Sequence, residues 1–412
     1  MALTKWACVV ITVVHLGVLN QKSAAVSLTD MEDLVSRLQA GYYTTVRPVT
    51  DQTETVVVTS DLYLLGINNF DDSNQKLTTT AYLSISWNDE ILASAWSSSP
   101  SITEAYLPQN KVWLPDLALS NGFTSLKGLG STFIQVKLTY TSPTVTVTWQ
   151  PFEVFETACA ADVTYFPFDS TKCDIKFNYF VYDSTKVNVT SGPEGVNMAN
   201  YEENSDWTIT RTSTSTFLRN GKSGITYSIT LKRKPLYYLL NIIFPIVLLA
   251  LLNVMVFVLP GSSGEKTGYI MTMFLSFAIF LTIIAKELPT TSDKVSFFGI
   301  YVFLIAFKCS LIVLLTVLQI RFYDRNPDSR VPSYLKKLVH RMIRFQCGGY
   351  CIGPGEIFPY GKDPKKMSRE YVTWPDVSDA LDVLFFTIFL LVLFILTALY
   401  LIVSYIAGSG IY

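Results

Sequence analysis

Residues Cys159–Cys173 read CAADVTYFPFDSTKC: two cysteines with thirteen residues between them, enclosing Phe166, Pro167, Phe168 and Asp169. A clasp of this kind is a redox pair, half of a metal site, or a structural disulfide that holds a loop in one shape. The choice depends on which side of a membrane the loop occupies, and the rest of the chain bears on that.

The protein has 412 residues and a formal net charge of −1; half of its residues are hydrophobic and 16% are charged. That balance carries no electrostatic footprint for nucleic acid, and none is expected as a partner. The apolar excess is concentrated in four blocks, 236–259, 267–285, 295–320 and 381–407, each long enough to cross a hydrocarbon core of roughly 30 Å as a helix. Pro245 in the first block and Lys308 in the third are tolerable where they face other helices or water. Residues 1–25 are a separate case. Lys5, an apolar run and Ser23-Ala24-Ala25 read as a secretory signal peptide, too short and too early to span.

With residues 26–234 outside the cell, the spans within 235–320 place the connection 321–380 in the cytoplasm, and the fourth span, within 381–412, returns the carboxyl terminus to the outside. Both termini of the mature chain are then extracellular, in a multi-pass protein of the plasma membrane. Arg321, Arg325, Arg330, Lys336, Lys337, Arg341 and Arg344 load the connection with positive charge, in keeping with the positive-inside tendency. Cys8 leaves with the signal, Cys309 lies in a span, and Cys347 and Cys351 are cytoplasmic, so Cys159 and Cys173 have only each other outside. The only histidines, His15 and His340, are absent from the outer domain, which argues against metal, and a redox pair favours a two-residue spacing. A structural disulfide is expected, contributing on the order of 3 kcal/mol through loop closure. No metal or other cofactor is expected.

Within the outer domain, Thr29-Asp30-Met31-Glu32 is read as a capping box opening a short helix with Met31, Leu34, Val35 and Leu38 on one face. The period then changes to two. Thr53 to Ile67, Leu77 to Trp87, FIQVKLTY, TVTVTW, CDIKFNYFVY, WTITRT and ITYSITLKRK read as half-buried strands between polar turn clusters such as Asn68 to Asp72. One helix and eight to ten strands predict an all-β, immunoglobulin-like sandwich ahead of a four-helix membrane bundle. The last strand runs into the first span at Lys232 to Tyr238 with no linker, which favours mechanical coupling over simple tethering.

Taken as a helix of about 100° per residue, the second block places Gly268, Thr272, Leu275, Ile279, Thr282 and Lys286 within roughly 40° of one line. Several copies around an axis would line a pore, with Leu275 and Ile279 rings as a dewetting constriction. The same stripe also suits an ordinary packed helix whose threonines bond to neighbours. Glu265 projects near the line and would form a carboxylate ring at the inner mouth, whereas Lys266 lies nearly opposite. Lys286 would place a basic ring at the outer mouth, against cations; the narrower inner end carries more weight.

These residues resemble the Cys-loop receptors, the pentameric ligand-gated ion channels that include nicotinic acetylcholine receptors. The resemblance rests on the thirteen-residue loop with Phe166-Pro167-Phe168-Asp169, on Trp87-Asn88-Asp89 and on Trp113-Leu114-Pro115-Asp116. It continues through Arg233 to Tyr238, Gly264-Glu265-Lys266 before the pore helix and Glu287 to Ser292 after it. It implies a pentamer in which this subunit meets four further subunits, identical or homologous, amid membrane lipid. A small-molecule ligand would bind between outer domains and open an axial pore. Gly-Glu-Lys resembles the cation-selective branch, with inorganic cations as permeant partners. The competing readings are an anion channel of the same fold, on account of Lys286, and a non-conducting accessory subunit or binding receptor. A membrane enzyme is not expected, since the outer domain offers no nucleophile–base constellation.

The family's ligand site is an aromatic box that takes a cationic amine by cation–π attraction. Here Tyr82 stands for a tryptophan of the complementary face, Phe180 for the main tryptophan of the principal face and Ser120 for a tyrosine. The capping loop, 211–224, has Phe217 and no cysteine pair, and Lys222 lies near another expected tyrosine. The resemblance therefore points to a neutral, zwitterionic or anionic ligand, with Tyr82 and Phe180 as apolar walls; Phe180 packed inward as a strand residue is the plainer alternative. The family's coupling pair corresponds to Asp169 and Arg233, and the loop, with Phe166, Pro167 and Phe168, would press on Pro289 and the residues up to Ser292. Pro167 follows an aromatic, a context favouring a cis bond. Asn188-Val189-Thr190 is a glycosylation sequon, and Val331 to Phe345 has the spacing of a helix along the inner membrane surface.

Overall fold

A computed structural model describes residues 26–99, 101–123, 128–130, 134–287, 296–326, 329, 331–346 and 372–408. The signal segment, Pro289 to Ser292, Cys347 and Cys351 lie outside these described residues. Helix α1 (Leu28–Gln39) begins earlier than its expected box. Both Ser27-x-x-Asp30 and Thr29-x-x-Glu32 match the pattern, and the reciprocal pair forms at Ser27: its hydroxyl accepts from the Asp30 N–H and Asp30 accepts from the Ser27 N–H. Leu34 and Leu38 are buried, and Met31 and Val35 pack at the edge of the core.

Eleven strands follow among the described residues, in two sheets. The larger runs β3 (Glu104–Pro108), β5 (Gln135–Thr141), β6 (Thr144–Trp149), β2 (Lys76–Asn88), β1 (Val56–Asp71), β9 (Val187–Asn197), with β7 (Phe152–Ala158) also on β2. The smaller runs β10 (Trp207–Arg219), β11 (Lys222–Arg233), β8 (Ser170–Tyr179), β4 (Leu117–Leu119). The period of two is realised strictly in β2, where Leu77, Thr79, Ala81, Leu83, Ile85 and Trp87 are all buried. Inner faces meet through Phe155, Phe177 and Tyr227, and the Tyr227 hydroxyl donates to Ser60 across the core at 2.8 Å.

Helix α2 (Glu90–Trp96) is capped by Asp89, whose Oδ1 accepts from the Leu92 N–H at 2.8 Å while Oδ2 accepts from the Tyr42 hydroxyl at 2.7 Å. Burial pushes the Asp89 carboxyl up to about 6. A raised acid stabilises the fold while it is protonated and loses that contribution as pH climbs through its folded value. Asp89→Asn keeps an acceptor for the cap and removes the titration. Its stability relative to wild type should therefore improve between pH 4 and 6, by at most about 3 kcal/mol. Thermal unfolding of the detergent-solubilised chain across that window checks this; a constant difference would count against it.

Among the described residues, four helices are long and apolar enough to cross a membrane. The first, α3 (Leu236–Val258), widens into a π turn at Leu239–Ile243, immediately before Pro245, whose missing N–H and bulky ring interrupt the regular ladder. The next two are α4 (Lys266–Glu287) and α5 (Phe297–Tyr323). Lys308 of α5 faces neighbouring helices and donates to the Ala250 carbonyl of α3 at 3.3 Å. Helix α6 (Ser333–Gln346) spends part of its apolar face on protein: Val339, with Val331 just before it, packs against Trp374, Val377 and Ala380. That packing, and the Thr373 N–H and hydroxyl bound to Asp376 at 2.9 and 2.5 Å, start α7 (Trp374–Gly408) well before the apolar block at 381.

Candidate functional site

The Cys159–Cys173 disulfide forms, with S–S 2.00 Å and Cα–Cα 5.3 Å. Cys159 follows β7 in one sheet and Cys173 lies within β8 of the other, so the bond staples the two sheets where the loop leaves them. The loop sits on top of the helices. Phe166 is buried, with Tyr238 and Phe298 ring centroids at 5.1 and 5.2 Å, and its carbonyl accepts from the Tyr400 hydroxyl at 2.8 Å. The Phe166-Pro167 peptide is cis. Phe168 meets Tyr405 edge-on, and a Cβ at Gly408 would collide with the Phe168 carbonyl oxygen, so only glycine permits that approach. The Phe297 N–H donates to the Thr164 carbonyl at 3.0 Å. The described contacts of the loop are thus with α3, α5 and α7.

Arg233, the last residue of β11, stands at the centre of this junction with its side chain 1% exposed. Its Nε and Nη2 reach the two oxygens of Asp169 at 2.9 and 3.0 Å, the bidentate arrangement that suits a guanidinium. Nη2 also donates to Asp72 at 2.6 Å and Nη1 to the Tyr238 hydroxyl at 3.0 Å. Trp207, Tyr238 and Phe166 ring the same guanidinium at 4.3, 5.0 and 5.2 Å. Sequence reasoning misses Asp72 and Trp207 as partners. Asp72 is visible there only as one polar residue of a turn between β1 and β2.

The candidate ligand residues fall into two groups. Phe217 and Lys222 lie in the smaller sheet, and Ser120 and Phe180 directly follow its strands β4 and β8, whereas Tyr82 lies on β2 of the larger one, stacked on Tyr63 at 4.7 Å. β8 ends at Tyr179, which leaves Phe180 beyond the strand and 40% exposed, against the inward-packed alternative. The capping segment is a continuous hairpin whose two-residue turn, Asn220-Gly221, has φ of 52° and 76°, as a type I′ turn needs. The Gly221 carbonyl accepts from the Ser184 N–H at 2.8 Å, which ties the tip to the segment after β8. Phe217 lies over Gly224, where a Cβ would collide with its ring. Gly224 pairs with Asn178, the last pair that β11 makes with β8 toward the hairpin tip. The Ser120 hydroxyl is turned to the Lys176 carbonyl at 3.1 Å. Asn188 of the sequon is half-buried in β9 and accepts from the Ser223 hydroxyl at 2.7 Å.

On and just before α4, Glu265, Gly268, Thr272, Leu275, Ile279, Thr282 and Lys286 are all exposed, while Lys266, Ile270, Phe277 and Ile284 are buried against the other helices. The Thr272 hydroxyl donates to the Gly268 carbonyl at 2.8 Å and that of Thr282 to Ile279 at 2.7 Å. Both hydroxyl protons are thereby directed along the helix, leaving oxygen lone pairs toward the exposed side.

Two family models match the chain: the neurotransmitter-gated ion-channel ligand binding domain over residues 31–235 and the neurotransmitter-gated ion-channel transmembrane region over 242–347. Neuronal acetylcholine receptor subunit alpha-2 of Rattus norvegicus is 29% identical over 357 residues, which cover 84% of this chain and 68% of that protein. Neuronal subunit beta-3 of the same species is 30% identical over 331 residues, 78% of this chain and 70% of its own length. Acetylcholine receptor subunit beta-like 1 of Drosophila melanogaster is 31% identical over 321 residues, covering 75% and 60%. The chain belongs to the neurotransmitter-gated ion-channel family, the Cys-loop receptors, on its nicotinic-like branch, a family of ligand-gated channels and not of enzymes. The matched segments span between 60 and 70% of these relatives' lengths.

Proposed function

We propose that the chain is a subunit of a pentameric, cation-selective ligand-gated channel of the plasma membrane, with both termini of the mature chain extracellular. The observation that carries this reading is the face of α4: all seven stripe residues are exposed while the opposite side is packed. Outward hydroxyl oxygens at Thr272 and Thr282, and the exposed carboxylate of Glu265, suit a cation path. Tyr82 is separated from the other four ligand residues by lying on a different sheet. A site using all five would be shared between neighbouring subunits, as the family resemblance implies. With Ser120 turned to backbone and the charged Lys222 in the capping hairpin, that site suits a neutral, zwitterionic or anionic ligand better than a quaternary amine. The Cys159–Cys173 loop and Arg233 transmit binding to the spans, and Asn188 is the candidate glycosylation site.

Exposed Lys286 keeps a second reading, an anion-selective pore, in view. Expression of the chain alone, with reversal potentials under sodium and chloride substitution, separates the two. Cation selectivity is expected, and Glu265→Gln should lower the cation preference several-fold. A reversal potential that follows chloride would overturn the main reading, and silence of the chain alone but not of mixtures with relatives would make it an accessory subunit.

A further inference from the structure

Glu265 and Lys266 are adjacent residues of opposite charge that the fold sends to opposite environments. Glu265 is exposed, whereas Lys266 is 2% exposed and donates to Asp382 of α7 at 2.5 Å. Both side chains of that pair are buried, at 2% and 8% exposure. The neighbourhood is fixed from three helices. The Gln319 amide of α5 donates to the Ser378 carbonyl at 2.9 Å, one turn before Asp382. The Tyr269 N–H donates to the Glu265 carbonyl at 2.9 Å, and the Tyr269 hydroxyl donates to the Leu252 carbonyl of α3 at 2.8 Å. Gly264, at φ +69°, supplies the left-handed turn by which the chain enters this arrangement.

We propose that the Lys266–Asp382 pair is a positioning device for ion selection, an inference that rests on the cation-channel reading above. Successive residues on a helix diverge by about 100°, so a first turn anchored through Lys266 on one side presents Glu265 on another. The pair also removes Lys266 from the mouth that Glu265 lines. A lysine whose buried partner is taken away cannot stay charged where it is without a large penalty, and the low-cost escape for its flexible stem is toward water. In a pentamer that escape adds five positive charges beside five carboxylates. The fourth span thus governs the charge at the pore mouth without lining it.

The test uses the full chain carrying Glu265→Cys, in membranes opened to the cytoplasmic side. The rates at which a cationic and an anionic methanethiosulfonate modify the introduced thiol are compared, because their ratio reports the local potential. Asp382→Asn should lower the cationic-to-anionic ratio roughly fivefold at unchanged surface level. Asp382→Glu, and the swap of Lys266→Asp with Asp382→Lys, should keep the original ratio. An unchanged ratio in assembled Asp382→Asn overturns the proposal, since a purely structural tie would alter stability and leave the potential alone. If Asp382→Asn does not assemble, the other two decide: assembly with the original ratio supports the pairing, and failure of both or an altered ratio overturns it. Labelling requires no current, so a non-conducting wild type would sink the channel reading while the charge placement is still measured.

Discussion

Reversing either charge of the Asp169–Arg233 pair is expected to abolish most ligand-evoked current, and reversing both together to restore part of it. The pair is bidentate, both side chains are 1% exposed, and β11 runs from Arg233 into α3 without a linker. Removing one partner strands the other charge in a buried site, a cost of about 3–5 kcal/mol. Arg233→Asp places three carboxylates together, because Asp72 also holds the guanidinium at 2.6 Å. Rescue by the swap will be incomplete for the same reason: Asp72 and the rings of Trp207, Tyr238 and Phe166 remain shaped for a guanidinium at position 233. Surface labelling alongside current recording separates failed assembly from failed opening. Full activity in either assembled single variant would refute a coupling role for the pair.

Leu275→Thr is expected to produce current at rest and to raise ligand sensitivity at least about tenfold. Leu275 and Ile279 stand one turn apart and are 60% and 55% exposed, on the face whose other members are small, hydroxylated or charged. Five copies of each would close the path by excluding water, a barrier set by apolar surface and not by a physical plug. A hydroxyl in place of each leucine lets water persist there and favours the open form. Phe277→Leu is the contrasting variant. Phe277 is 2% exposed and packed on the other helices, so its truncation should lower stability without opening the pore. Leak from Phe277→Leu and none from Leu275→Thr would place the path on the other face of α4.

The loop, the sandwich and the four spans were legible because each leaves a local mark. Alternation in Leu77 to Trp87 follows from the pleat of a strand, and an apolar run of span length follows from the thickness of a bilayer. The cysteine pairing was legible from compartment and count. The α4 face was also legible, since one helical repeat sorts Leu275 from Phe277 wherever the helix packs. The capping segment was not: the resemblance names 211–224 a loop, whereas Asn220-Gly221 closes a regular hairpin in which residues 211–219 pair with 222–230.

By itself, the sequence determined which residues share a strand face, a helix face or an apolar stretch of span length, because backbone periods and transfer free energies act on neighbours along the chain. Only the tertiary structure decided that Asp72 and Trp207 join Arg233, that Tyr400 and Gly408 meet the Cys159–Cys173 loop, and that Asp382 takes Lys266. Those partners lie far away in the chain, where no local period reaches. They are selected by the need to pair each buried charge and fill each buried gap once the sheets and helices are packed.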